Sequence, residues 1–468
     1  MEESKSRFEL LPVETIQAIQ CFIDNVPDLA SIILACKATY NAFISADQLI
    51  LKEVLTNEIG YEVLPEALLT ALISRQEPFS DYSVNECGNC FFENGRNIEL
   101  KAHPKFRIPD GLFLSKLHSH IIYFTNDFIS KAFASPIFTR DISIAAEQLP
   151  ASDKEKWRIQ RTFYRFQMYC CIVKVDEKKL LFPFDLELGQ NRIFFSYFSV
   201  WENEQLACIH DYIFRLVGHG FDELVDHDIA WTEDLRWYAS FDSPEEIEAR
   251  IARGLFAVRD MVEAKSYEQM LKAYKRSYEK PSFFLLDHGL SNSTRGTFPK
   301  SEDHEYWLED FSEKEDDAFI KKPVWCDDED EGSELIWRWA HSWFHGADFV
   351  LCEQHRFERE WGYVMWDYAR ILQLRVMENE WTKTPSDVYV SGRGSGPPKE
   401  SLERKWKIYR AGGRGWWSAN DESKVVWRGG CAPWDKPMEI QPDRWEKEDW
   451  RSIDEAKDFI KKLRLQLP

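Results

Sequence analysis

A proline-punctuated run of apolar residues near the start, FELLPVETIQAIQCFIDNVPDLASIILACKATYNAFISA from Phe8 to Ala46, limits what this chain can fold into more than any other stretch. Leu11-Pro12 closes an extended lead-in, because the pyrrolidine ring fixes φ and suits the first turn of a helix better than its middle. A helix of about a dozen residues is expected to start beside it, with Ile16, Ile19 and Ile23 recurring at three- and four-residue steps and Phe22 alongside. Asn25-Val26-Pro27-Asp28 stops that helix, since the residue before a proline leaves the α region. Asp28 is placed to cap the next helix. Leu29, Ile32, Ile33, Cys36, Tyr40 and Phe43 then continue at helical spacing, so two or three short helices share about forty residues.

A unit of that size buries little surface, and its apolar positions exceed what one small hairpin can hide, which calls for a partner. Leu11, Pro12, Glu14, Ile16, Ile19, Leu29, Ala35, Cys36, Lys37, Tyr40 and Phe43 together resemble the F-box pattern. The resemblance implies that these helices dock on the Skp-type adaptor of a cullin-RING (SCF) ubiquitin ligase, and through it on a cullin, while the rest of the chain holds a protein substrate. It assigns adaptor contact to Leu11, Pro12, Ile16, Ile19, Leu29, Cys36 and Tyr40. Many F-boxes carry tryptophan in the last helix and just after it; here those places read Thr39-Tyr40 and Leu49-Ile50, which implies a weaker adaptor contact. The plainer alternative is a helical hairpin that opens an ordinary all-helical domain.

At 468 residues the chain exceeds one core of ordinary size, so an N-terminal module plus one large or two medium domains is expected. Aromatics reach 15%, with 19 tryptophans, a composition suited to a thick aromatic core. The net charge of -21 repels phosphate backbones and anionic membranes, which argues against nucleic acid or lipid as partner. Much of it is local: Ser301 to Glu334 holds 15 acidic residues against 3 lysines, a net of -12. The N-terminus MEESKSRFELLP has no signal core and no run of eighteen apolar residues occurs, so the expectation is a soluble protein of cytosol or nucleus with reduced cysteines.

Helical spacing continues through Leu51, Val54, Leu55 and Ile59 to a stop at Gly60, and Leu64-Pro65-Glu66 opens another helix through Leu72. His118 to Phe133 reads as helix. Ser152-Asp-Lys-Glu155 forms a capping box before Trp157, Phe163, Phe166 and Tyr169. Trp201 to Gly218 puts Leu206, Ile209, Ile213 and Leu216 on one face. Ser243-Pro244-Glu245-Glu246 starts a helix expected to run unbroken through Ile247, Ile251, Leu255, Val258 and Val262. Ser266 starts one more, Glu334 to Leu374 gives two aromatic helices separated near Gly346, and Lys424-Val-Val-Trp427 suggests short strands. A last helix runs from Ser452 toward Leu465. The fold class is therefore mainly α, with a small β-containing C-terminal part. Its expected divisions are an F-box over 6–50, a helical domain over 51–290, an acidic flexible insertion over 291–333, and a Trp-rich continuation over 334–468. No fixed-period repeat occurs, against WD40 or leucine-rich substrate domains. Trp201 to Arg215 and Trp361-Gly-Tyr-Val-Met-Trp-Asp367 resemble stretches of fungal F-box proteins, which implies helical architecture and no known chemistry.

Chemistry-bearing sets are incomplete. Cys87 and Cys90 have the spacing of half a zinc site, but a second pair is lacking and His103 is the nearest candidate. His341 and His345 lie four apart near Cys352 and His355, yet HSWFH lacks the glutamate of a metalloprotease helix, and packed histidines are favoured. His210-Asp211, Asp226-His227-Asp228 and Asp287-His288 are adjacent pairs that point to different faces of a helix, so no dyad is expected from them. Without GxSxG, a Walker loop or the kinase set, nothing nominates a nucleophile, and the glycines of 392–396 and 412–415 read as linkers. The expectation is a substrate receptor that is not an enzyme and uses no cofactor or metal. The rival readings are an F-box scaffold outside ubiquitination and a metal-dependent hydrolase.

Overall fold

A computed structural model describes residues 7–75, 106–139, 150–172, 194–230, 244–274, 286, 290, 299–301, 304–305, 330–342, 356–378, 399–419 and 421–430. The chain is mainly helical. Its residues fall into two compact units, one from 1–224 and 240–396, the other from 225–239 and 397–468. The second unit thus joins residues 225–239 to 397–468, and α4 runs through residue 50.

In the first unit a 3-10 turn, Phe8–Leu10, leads into α1 (Val13–Cys21), α2 (Val26–Ala35), α3 (Lys37–Ser45), α4 (Asp47–Ile59) and α5 (Leu64–Ser74). The cap of α2 is Asn25, not Asp28: the Asn25 side chain accepts from the Asp28 N–H, and Pro27 sits in the first turn where its missing N–H costs nothing. Cys36 adopts φ -158°, ψ 166°, which separates α2 from α3. Gly60, at φ 89°, ends α4 as its sequence suggests.

α6 (Ile108–Phe133) begins ten residues before His118, since Asp110 caps the Arg107 N–H and Pro109 fits the first turn. It is the spine of the unit, packing against α2, α4, α5 and α8 (Asp153–Ile172), with α7 (Pro136–Thr139) at its end. Gly111 lets α6 approach closely, because a Cβ there would stand 3.0 Å from both Val26 and Leu51. The N-terminal helices are thereby docked on the same core as the rest of the unit.

Ser152 and Glu155 form the expected box, and Glu155 does more than cap: its carboxylate also accepts from Arg370 Nε at 2.7 Å and Nη2 at 2.8 Å. α9 (Val200–His227) is opened by a second such box, Ser199 with Glu202. Leu206, Ile209 and Ile213 are buried along it, while Leu216 is half-buried. The helix expected from Pro244 to Val262 is two: α10 (Pro244–Ile251) and α11 (Leu255–Glu263), followed by α12 (Tyr267–Ala273). Gly254 breaks it at φ 84°, and Gln167 Oε1 accepts from the freed Leu255 N–H at 2.8 Å.

Short strands β1 (Pro299–Ser301) and β2 (His304–Glu305) pair antiparallel. α13 (Gly332–Ser342), α14 (Arg356–Glu360) and α15 (Tyr368–Leu374) complete the unit, with the 3-10 turn Tyr363–Met365 between the last two. Trp361, Tyr363, Val364, Met365 and Trp366 are all fully buried. Gly362 turns the chain at φ 64°, where a Cβ would meet the Phe128 ring at 2.6 Å.

The second unit pairs the end of α9 with α16 (Lys399–Arg410) and an antiparallel hairpin of β3 (Arg414–Gly415) and β4 (Val425–Val426). Ile229, Ile408, Trp417 and Val425 form its core. The Ile229 N–H donates to Gly415 O at 3.1 Å and the Trp417 N–H to His227 O at 2.8 Å. Lys405 is buried and donates to Val225 O at 2.5 Å; burial pulls its ammonium down to about 8 while Asp226 and Asp228 pull it up. Most of the acidic stretch, the 392–396 glycines and the expected C-terminal helix lie outside the described residues. No described helix is long and apolar enough to cross a membrane.

Candidate functional site

Helices α1 to α3 have an inner face and an outer one, and the inner face is complete. Ile16, Val26, Leu29, Ile33, Ala42 and Phe43 are buried in it. The stripe on α1 is Ile16 with Gln20 rather than Ile16, Ile19 and Ile23, because Gln20 finds a partner inside: its amide donates to Thr39 O at 3.0 Å. Gln17 donates to Ala42 O at 3.1 Å and Ser45 Oγ at 2.9 Å, so paired amides take the places that periodicity gives to apolar side chains. Asn57 of α4 closes the end of α1 by donating to Cys21 O at 2.8 Å and Ile23 O at 3.0 Å. Thr39 is buried and donates to Cys36 O at 2.7 Å.

The outer face is apolar without being covered. Among the described residues, nine of the fifteen large apolar side chains that stay exposed lie between Leu10 and Leu49. They are Leu10, Leu11, Val13, Ile19, Phe22, Leu34, Tyr40, Ile44 and Leu49, with Phe22 at 84% and Leu34 at 83%. Nine between Leu10 and Leu49, against six in all the other described residues, separates this stretch from the scattered apolar exposure normal on a protein surface. Of the residues read as adaptor contacts, Leu11, Pro12, Ile19 and Tyr40 stand on this outer side, and Cys36 is half-buried at the start of α3. Hydrogen bonds from Thr39 hold its thiol below the usual range. Ile16 and Leu29 are buried in the core of the unit, so their contribution is to hold the helices rather than to offer a surface. Helical spacing does not name Leu34 or Ile44, and Phe22, which it sets alongside the stripe, is the exposed C-cap of α1.

A second cluster is polar and sealed. His210 and Asp211 do interact, against the expectation for adjacent residues: His210 Nδ1 lies 3.1 Å from Asp211 Oδ1 and Nε2 lies 2.5 Å from Glu248 Oε1 of α10. Glu248 fixes the ring, and the Asp211 carboxylate turns back to meet its other nitrogen. Burial alone would lower the imidazole, but the two carboxylates raise it to about 10, so it is an imidazolium donating from both nitrogens. Arg359 of α14 donates from Nε to Glu204 Oε1 at 2.9 Å and from Nη2 to Oε2 at 3.2 Å, and Nη1 stands 3.6 Å from Asp211. Burial holds Glu204 above the ordinary carboxylate range and pushes the Cys208 thiol up. All five ionic side chains are at most 7% exposed, so a substrate reaches them only if helices part. Their arrangement ties α9 to α10 and α14.

The remaining candidates are accounted for by position. His227 stacks on Trp416 at 4.3 Å and bonds Trp417 O, and Asp228 accepts from the Ala230 N–H. Among the described residues no three His, Cys, Asp or Glu side chains converge on one point as a metal requires. Cys87, Cys90, His103, Asp287, His288, His345, Cys352 and His355, and the side chain of His341, lie outside the described residues. Comparison with family models, with curated proteins and with solved structures gives no match.

Proposed function

We propose that this chain is the substrate receptor of an SCF-type ubiquitin ligase, in which the outer face of α1 to α3 docks on a Skp-type adaptor, and through it on a cullin, while the helical body holds a protein target. The reading rests on the sequence resemblance of Phe8 to Ala46 to the F-box. The single observation that carries it further is the number of large apolar side chains left exposed between Leu10 and Leu49. Leu11, Pro12, Ile19 and Tyr40 are the contacts proposed from both sources, with Phe22 added by its exposure. The buried Ile16 and Leu29 shape the face from behind.

Calorimetry with a purified Skp-type adaptor tests this. Phe22 is 84% exposed and Leu11 37%, so covering what remains free contributes about 2 to 3 kcal/mol together at roughly 1.5 to 3 kcal/mol per fully buried side chain. Leu11→Ala with Phe22→Ala is expected to weaken binding at least tenfold and leave the thermal melt unchanged. Ile16→Ala is expected to do the reverse, costing about 2 to 5 kcal/mol of stability through the cavity it leaves. No measurable adaptor affinity in the wild type, or affinity indifferent to the double substitution, reduces these helices to the opening hairpin of an ordinary helical domain.

A further inference from the structure

Among the described residues Phe22 is the most exposed large apolar side chain, and the turn that carries it is held by two neighbouring residues of another helix. α1 ends at Cys21 and α2 begins at Val26, so Phe22 to Asn25 reverse the chain where the last carbonyls of one helix and the first N–H groups of the next lack partners within their own helices. α4 supplies both kinds of partner from consecutive positions. The Asn57 amide donates from Nδ2 to Cys21 O at 2.8 Å and to Ile23 O at 3.0 Å. Glu58 accepts the Val26 N–H on Oε2 at 3.0 Å, and its Oε1 accepts from Ser115 Oγ of α6. A donor thus meets the carbonyl end of α1, and a carboxylate meets the start of α2, where the helix dipole favours negative charge.

Phe22 lies between the two captured carbonyls. One amide group holds the residue before it and the residue after it, with the Phe22 backbone at φ -87°, ψ 2°. At 84% exposure the side chain has little packing of its own, so the backbone decides where it stands. A side chain whose backbone is already ordered gives up less freedom when a partner covers it. The bond from Ser115 to Glu58 ties this end of α4 to α6, the spine of the unit, so the turn is fixed against the core.

We propose that Asn57, which lies outside the stretch resembling the F-box, is a positioning residue for adaptor docking: it presents Phe22 to the Skp-type adaptor by holding both of its chain neighbours. The inference rests on the receptor reading, and it adds α4 to the elements that shape the docking surface. Asn57 is itself exposed, so shortening its side chain opens no cavity, and its effect on docking can be separated from loss of the fold.

The test is a double-mutant cycle on the full chain, with affinity for a purified Skp-type adaptor measured by calorimetry for wild type, Asn57→Ala, Phe22→Ala and the pair. Asn57→Ala is expected to weaken binding at least about threefold in the wild-type background and to have no further effect once Phe22 is alanine, since the clamp then has no ring to present. Asn57→Asp, which keeps the shape but replaces the donor with a carboxylate oxygen, is expected to weaken binding at least as much. Equal weakening by Asn57→Ala in both backgrounds would mark a general effect on the helices, and no weakening in wild type would make the clamp dispensable. Either result, or a Phe22→Ala variant that binds as tightly as wild type, overturns the proposal and leaves the receptor reading standing. A wild-type chain without adaptor affinity overturns the receptor reading itself, and the presenting role of Asn57 with it.

Discussion

Replacing Arg359 with alanine probes how the large unit is held together. Its guanidinium bonds both oxygens of Glu204 and faces Asp211 at 3.6 Å, with side-chain exposures of 4%, 0% and 4%. At an effective dielectric of about 20, one pair at about 3 to 4 Å gains roughly 4 to 5 kcal/mol, which burial of the charges largely offsets. The network as a whole is therefore close to neutral compared with apolar packing, but the loss of one partner is not. Arg359→Ala leaves Glu204 in an apolar site without its cation and is expected to cost about 3 to 5 kcal/mol. Arg359→Lys keeps the charge but gives up the planar fork and is expected to fall between.

The pH dependence separates this mechanism from simple loss of packing. Burial already holds Glu204 above the ordinary carboxylate range, with Arg359 opposing, so removing the arginine raises it further. A carboxyl whose folded pKa lies above its unfolded value penalises folding once ionised, and the penalty grows as pH rises from the unfolded value through the folded one. The stability gap between wild type and Arg359→Ala is thus expected to be narrower at pH 5.5 than at pH 8. Urea unfolding followed by tryptophan fluorescence measures both. A cost under about 1 kcal/mol at pH 8, or equal costs at the two pH values, refutes the argument that an ionic side chain was left unpaired in the core.

Gly254→Ala is expected to destabilise by about 1 to 3 kcal/mol, because φ 84° strains any Cβ and the new carbon would stand 2.7 Å from the Gln167 amide; an unchanged urea midpoint would mean that α10 and α11 tolerate joining. His210, raised to about 10 from an unfolded value near 6.5, stabilises fully below pH 6.5 and loses that contribution as pH rises toward 10. Wild-type unfolding midpoints are expected to fall between pH 7 and 10 more steeply than those of His210→Gln, and parallel slopes would show that the imidazole does not titrate in this window.

The sequence by itself determined whatever depends on near neighbours in the chain. Pro12 set the start of α1, Gly60 ended α4, and the Ser152–Glu155 box began α8, since each acts within four residues. Helical spacing likewise identified Leu206, Ile209 and Ile213 as one buried face. Only the tertiary structure decided which face of α1 turns inward: Gln20 displaced Ile19 because Thr39 O, nineteen residues away, accepts its amide. It alone broke the helix at Gly254, where Gln167 supplies the hydrogen bond that a continuous helix would have made internally. The Arg359–Glu204 and His210–Glu248 pairs, 155 and 38 residues apart, leave no local pattern at all. A charged residue reads as surface until its partner from another helix is known.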